Sequence, residues 1–255
     1  MLYFLIMEEI SFTIQSDYPE AAKISDKLCF IASETSHRED LVTINLTFIL
    51  NELLNNAIRH GNRSLPDKKI RITGKIGPDV ILISVKDEGG GFNIKNLAAG
   101  PELQEDILSD GGRGIFLARY YADLLFFSEG GTRVTFALFS RRKPAVCEVI
   151  NGLGFIMLSE KRSYQEKDLK GIFNRFELAE IKLVCFQMKH IQLLFTPEIN
   201  LIINRLKALR ESGGDIVFLS PSPEILKLIR VTGLEKIIRT YPLLEDILSK
   251  EEKAV

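Results

Sequence analysis

Long apolar runs, closely spaced cysteines and an excess of one charge are all missing from this 255-residue chain, and each absence removes a class of function. Lys and Arg number 33 against 34 Asp and Glu, a formal net charge of −1, so no general basic field draws the chain directly to nucleic acid or anionic lipid. Cys29, Cys147 and Cys185 form no Cys-x-x-Cys pair. That argues against a zinc site or a disulfide framework, and the three read as buried thiols of a cytoplasmic protein. The apolar start, Met1 to Met7, lacks a basic stretch and a small-residue cleavage site. It is also far shorter than the ~20 residues that span a bilayer, so neither export nor membrane insertion is expected. Translation from Met1 or from Met7 fits equally well. Neither Gly-x-Gly-x-x-Gly nor Gly-x-x-x-x-Gly-Lys-Ser/Thr occurs, which excludes the common phosphate loops.

What is present divides at the basic, proline-terminated stretch Arg141-Arg142-Lys143-Pro144, a linker signal that places one domain over residues 1–140 and a second over 141–255. In the first, hydrophobic periodicity predicts a strand over Ile10 to Ile14 and helices over Pro19 to Ala32 and Arg38 to Arg59. Strands over Ile70 to Ile76 and Val80 to Asp87 follow, then a helix over Gly114 to Leu125 and a strand over Val134 to Phe139. That order fits a mixed sheet covered on one face by helices, an α+β arrangement. In the second, strands over Val146 to Ile150, Gly154 to Leu158, Ile181 to Phe186 and Ile216 to Leu219 are interleaved with a helix from Pro197 to Glu211 and end in helices near Glu224 and Leu243. This reads as α/β. The helix after Pro197 carries Ile199, Ile202, Leu206 and Leu209 on one stripe, as packing on a sheet requires.

Four clusters in the first domain carry chemistry. On the long helix, whose buried stripe is expected at Leu41, Ile44 and Phe48, Glu52, Asn56 and His60 follow at four-residue steps. Four residues advance a helix about 40° beyond a full turn, so these side chains share a face. A carboxylate there can deprotonate a hydroxyl or water, and an amide oxygen can ligate magnesium; a solvated polar face has the same pattern. Asp87-Glu88-Gly89-Gly90-Gly91 ends a strand, where a carboxylate can accept from the exocyclic amine of adenine while bare backbone lets the ring approach. Guanine would present a carbonyl and leave the carboxylate unpaired, at about 1–3 kcal/mol. Gly111-Gly112-Arg113-Gly114 opens a helix and can present free amides to phosphate oxygens, with the polar segment from Phe92 to Ser109 before it as a lid. Gly130-Gly131-Thr132 joins two strand-like runs as a turn and offers a hydroxyl beside Asp87.

In this order the clusters resemble the four nucleotide-binding boxes of the GHKL superfamily. The runs Asn51-Glu52-Leu53-Leu54-Asn55-Asn56-Ala57-Ile58-Arg59-His60-Gly61, Gly112-Arg113-Gly114-Ile115-Phe116-Leu117 and Gly130-Gly131-Thr132-Arg133-Val134 look most like those of anti-sigma-factor serine/threonine kinases. The resemblance implies a GHKL (Bergerat) two-layer α/β sandwich binding ATP and Mg2+. It casts Glu52 as catalytic base, Asn56 as magnesium ligand and Asp87 as adenine reader. Gly89 and Gly91 would form the turn beneath the base, Gly112 and Gly114 the phosphate lid, and Thr132 would support the adenine. The second domain resembles a STAS domain, the fold of anti-sigma-factor antagonists, through Gly213-Gly214-Asp215-Ile216-Val217-Phe218-Leu219, Pro221-Ser222-Pro223-Glu224 and Val231-Thr232-Gly233-Leu234. It implies a mixed sheet with packed helices.

The second domain departs from that family where the phosphate is received. Counted back from Gly213, the resemblance puts the acceptor motif on Phe195-Thr196-Pro197-Glu198, give or take one residue, and the usual acceptor position is then Pro197, which has no hydroxyl; Thr196 remains as a neighbouring acceptor or as a helix cap. The expected activity is phosphorylation of a separate STAS-domain antagonist by a kinase that also binds a sigma factor, in a group commonly dimeric. The alternative is a non-catalytic, ATP-gated adaptor that docks partners through its STAS-like domain.

Overall fold

The second sheet residue of each pair faces the same way, and in the first half of the chain these positions hold Ile70 and Ile72, then Ile81, Ile83 and Val85, all buried. The computed structural model describes residues 8–35, 40–92, 113–140, 145–158 and 166–251. It divides into two compact units, Met1–Ser140 and Arg141–Val255.

Among the described residues of the first unit, β1 (Glu8–Gln15), β2 (Lys69–Ile76), β3 (Val80–Lys86), β4 (Leu124–Ser128) and β5 (Arg133–Phe139) form a sheet in the order β1-β2-β3-β5-β4. Helices α1 (Tyr18–Glu34), α2 (Asp40–Asn56) and α3 (Arg113–Tyr121) share one hydrophobic core with its alternating residues. Every pairing is antiparallel, which corrects the expected mixed sheet. Two helices, an even number of passes, separate β1 from β2, so the chain re-enters the sheet at the end where it left and β2 must run back along β1. A single crossover helix would have given a parallel pair.

Two further expectations on this unit change. The helix predicted to reach Leu125 stops at Tyr121, and Leu124 already belongs to β4. Asp123, buried, draws the turn onto β5: its carboxylate accepts from the Phe139 N–H at 2.7 Å and its own N–H donates to the Ala137 carbonyl. An unbroken apolar run such as Leu124-Leu125-Phe126-Phe127 has no period to mark the change. The buried stripe of α2 is Leu46, Ile49, Leu50, Leu53 and Leu54, whereas Ile44 is 61% exposed and Phe48 half-buried against Tyr121. The side chain of Leu41 and the residues 38–39 lie outside the description.

The second unit holds β6 (Ala145–Ile150), β7 (Leu153–Leu158), β8 (Leu183–Gln187), β9 (Asp215–Leu219) and β10 (Arg239–Tyr241) in the order β10-β9-β8-β7-β6. Only β6 and β7 are antiparallel, joined by Asn151 and Gly152 at φ 52° and 77°, a turn suited to a two-residue hairpin. Helices α4 (Glu166–Leu178), α5 (Thr196–Glu211) and α6 (Pro223–Thr232) pack on β7, β8 and β9 around Phe186, and α7 (Leu244–Glu251) closes the chain. On α5, Ile202 and Leu206 are buried and Ile199 and Leu209 pack against the same core. Helix α4 was not anticipated, although Leu169, Ile172, Phe173 and Phe176 have helical spacing and form its buried face. Its charged flanks and Gly171 masked the pattern.

Candidate nucleotide site

The last turn of α2 loosens into a π turn, Ala57–Gly61, closed by the Asn62 N–H on the Ala57 carbonyl. Such a turn carries one more residue than an α turn and recurs at functional sites. Here it delivers Asn56, His60 and Gly61 to one wall of a cavity of about 250 Å³. Asp87, Gly91 and Gly131 approach from the strand ends, and Leu53, Val85, Ile115 and Phe127 give it apolar walls. The sequence-predicted Asn56, Asp87 and Gly91 therefore meet, although up to 35 residues separate them.

Asp87 follows β3, and its N–H donates to the Thr132 carbonyl at 3.0 Å. One carboxylate oxygen accepts from the Gly89 N–H at 2.7 Å. Half-burial holds this carboxyl above its ordinary value, against the opposing pull of the Gly89 hydrogen bond and of Lys68 and Lys86. The neighbouring backbone touches it: a Cβ on Gly61 would fall on the Asp87 carboxylate, and one on Gly89 would strike the Gly61 carbonyl. Gly91, at φ 69°, passes equally close to the Gly130 carbonyl, which accepts from the Phe92 N–H at 3.0 Å. Gly61→Ala is accordingly expected to cost about 1–3 kcal/mol of stability through overpacking and to displace Asp87; urea unfolding and ATP titration of the same sample read both effects.

Glu52 is half-buried one turn before Asn56, and a Cβ on Gly114 would collide with its carboxylate, so α3 starts directly against it. Asn56 carries a side-chain nitrogen that is buried without a hydrogen-bond partner. Either amide orientation leaves a polar atom to be satisfied there, which suits a ligand bearing oxygen atoms and a hard cation. Thr132 contributes differently from expectation. Its hydroxyl donates to the Glu129 carbonyl at 2.9 Å, and its backbone carbonyl, not its hydroxyl, meets Asp87. Gly112 and the segment from 93 to 112 lie outside the described residues.

In the second unit, α5 begins at Thr196 with Phe195 as its N-cap, so Thr196 is not the capping residue. Glu198, buried, accepts from the Phe195 N–H at 3.0 Å and closes that end, while Thr196 and Pro197 are exposed.

Sequence reasoning passed over Asn62, which is fully buried beside the site. A lone asparagine after a helix carries the ordinary signal of a turn, and nothing local marks its long-range partners.

Residues 21–138 match the family model of the histidine kinase-like ATPase domain, and residues 137–247 match that of the STAS domain. The chain is thus a fusion of a histidine kinase-like ATPase domain with a STAS domain, a two-domain α/β architecture of the kind used in signalling modules. The first match is to a domain class with nucleotide-binding capacity. No curated protein matches the chain. Similar solved structures include TM1081 by NMR, at 16% identity, TM-score 0.38, covering 40% of this chain and 84% of that one. A crystal structure of TM1081, described as a candidate anti-sigma factor antagonist of Thermotoga maritima, has 16% identity and TM-score 0.36 over 41% and 92%. The anti-sigma factor antagonist SpoIIAA in its unphosphorylated form has 16% identity and TM-score 0.36 over 44% and 98%. Among the described residues no helix is long and apolar enough to cross a membrane.

Proposed function

We propose that this protein is an ATP-gated partner-switching adaptor. Residues 1–140 form a GHKL (Bergerat) nucleotide domain, and residues 141–255 form a STAS-like domain that docks partners and receives no phosphate. The observation that carries this reading is Pro197: exposed at the start of α5, it stands at the acceptor position with no hydroxyl. Phosphorylation there would add close to two negative charges and release a partner; without the hydroxyl, docking is governed by nucleotide instead.

In the first domain, Asp87 accepts from the adenine amine, Gly89 and Gly91 let the ring approach, and Thr132 holds Asp87 through its carbonyl. Asn56 would hold magnesium beside a bound nucleotide, a single protein ligand being natural for an ion that keeps most of its water. Magnesium supplies neutralisation of the phosphate charge. The backbone at Gly114 faces the phosphates.

A second reading is favoured by Glu52, whose half-buried carboxylate lies against the N-terminal end of α3. In it the protein is a serine/threonine kinase. Glu52 takes the proton of a serine hydroxyl on a separate STAS-domain antagonist, the γ-phosphoryl group joins that oxygen and ADP leaves. A sigma factor is then the second partner. Terminally labelled ATP, incubated with the full chain and a panel of purified STAS-domain proteins from the same genome, separates the two. ATP-dependent binding with no label on the bound protein is the adaptor result, and label on a partner's serine or threonine is the kinase result. Stoichiometric label on Thr196 would overturn both assignments of the second domain.

A further inference from the structure

Asn62 sits at a junction that neither reading uses. Its side chain is fully buried. The Oδ1 atom accepts from the Glu88 N–H at 2.9 Å, and Nδ2 donates to the Lys69 carbonyl at 3.1 Å. Its own N–H closes the π turn of α2. One short side chain thereby ties three pieces together: the end of α2, the start of β2 and the residue immediately after Asp87. The chemistry of the two partners dictates the amide's orientation, because a backbone N–H can only donate and a carbonyl only accept. From the solvent side the same turn is held by Glu88, whose carboxylate accepts from the Lys69 N–H at 3.0 Å, and by Lys68, whose Nζ donates to the Glu88 carbonyl at 2.9 Å.

We propose that Asn62 is a positioning residue for adenine recognition: it holds the Asp87-Glu88 backbone against the Gly61 turn and so sets where the Asp87 carboxylate points. The proposal rests on the nucleotide-site reading. Gly61 and Gly89 leave Asp87 no slack on the inner side, since a Cβ at either would collide with the carboxylate or with the Gly61 carbonyl. The only freedom left to the aspartate is outward movement of the turn, and the Asn62 amide blocks it. An aspartate at 62 could still accept from Glu88 but would set an oxygen against the Lys69 carbonyl. A leucine or alanine would leave both backbone groups buried and unpaired.

The test is selectivity rather than stability. ATP and GTP affinities are measured by calorimetry on the full chain, with Mg2+, for wild type, Asn62→Ala, Asn62→Asp and the exposed-side variant Glu88→Ala, together with Leu28→Ala, a fully buried core position away from the site. Asn62→Ala is expected to weaken ATP binding about tenfold, as the loss of two hydrogen bonds implies, and Asn62→Asp by a similar factor, since it keeps the Glu88 bond but loses the Lys69 bond and sets a charged oxygen against that carbonyl; GTP binding changes little, so that the ATP-to-GTP ratio collapses. Glu88→Ala, which keeps the buried amide, is expected to shift the ratio in the same direction by about threefold, one weaker bond being lost. Leu28→Ala lowers the melting temperature and leaves the ratio unchanged. An unchanged ratio in folded Asn62 variants overturns the positioning role; if those variants do not fold, an unchanged ratio in Glu88→Ala does so. Failure of wild type to prefer ATP overturns the nucleotide reading itself, and the role of Asn62 with it.

Discussion

Asp87→Asn is expected to lower the affinity for ATP by up to about 100-fold, the loss of a charged acceptor from a half-buried hydrogen bond, and at the same time to raise the stability of the nucleotide-free protein at neutral pH. The second effect follows from the first residue's environment. Burial raises the Asp87 carboxyl above its ordinary value, so the folded state holds the proton more tightly than the unfolded chain. The stability linked to that proton is complete below the ordinary aspartate range near pH 4, and it is lost as pH rises through the raised folded value. At pH 7 the ionised carboxylate is therefore a cost. Asparagine removes it while still offering an oxygen to the Gly89 N–H. The melting temperature of Asp87→Asn should exceed that of wild type at pH 7, and the advantage should shrink as the pH falls below 4. Mg-ATP at one fixed concentration should raise the melting temperature of wild type more than that of the variant, because the stabilisation grows with the logarithm of ligand concentration over Kd. A variant that melts lower than wild type at neutral pH would mean that Asp87 is held by the fold and not strained by it.

Glu52→Ala separates binding from chemistry. ATP affinity and ATP-dependent docking should persist, because Glu52 does not line the cavity beside Asp87. Any phosphoryl transfer should fall by ~10²–10⁴-fold, the usual worth of a positioned general base. Transfer at the wild-type rate would remove Glu52 from that role. The close approach of Gly114 adds an internal control: Gly114→Ala should perturb the protein when Glu52 is present and be tolerated once that carboxylate is gone. The two changes should therefore couple in a double-mutant cycle.

The legible parts of the site are those set by local periodicity. Glu52 and Asn56 lie one turn apart because of the pitch of α2, whereas His60 reaches the cavity through the π turn that no periodicity announced, and Asp87 lies at a strand end because the apolar alternation stops there. Helix α4 had the same kind of signal but was hidden by charge, and β4 had none, since a four-residue apolar run suits helix and strand alike. The two helices between β1 and β2 were legible too, but the antiparallel β1–β2 pair they lead to depends on the end at which the chain re-enters the sheet, which no single element's period reports.

By itself, the sequence determined which residue types a nucleotide site would have at hand, their order along the chain, and the substitution of Pro197 for a hydroxyl, because each is a matter of covalent identity or of one element's repeat. Tertiary structure alone decided that Asp87 lies against Gly61, that Thr132 serves it through a carbonyl, and that Asn62 clamps the turn between them. The contacts that Asp87 and Glu88 make with Gly61, Asn62 and Thr132 join residues 26 to 45 positions apart. Their geometry depends on α2 and the sheet sharing one core, at whose edge a single Cβ in the wrong place would not fit.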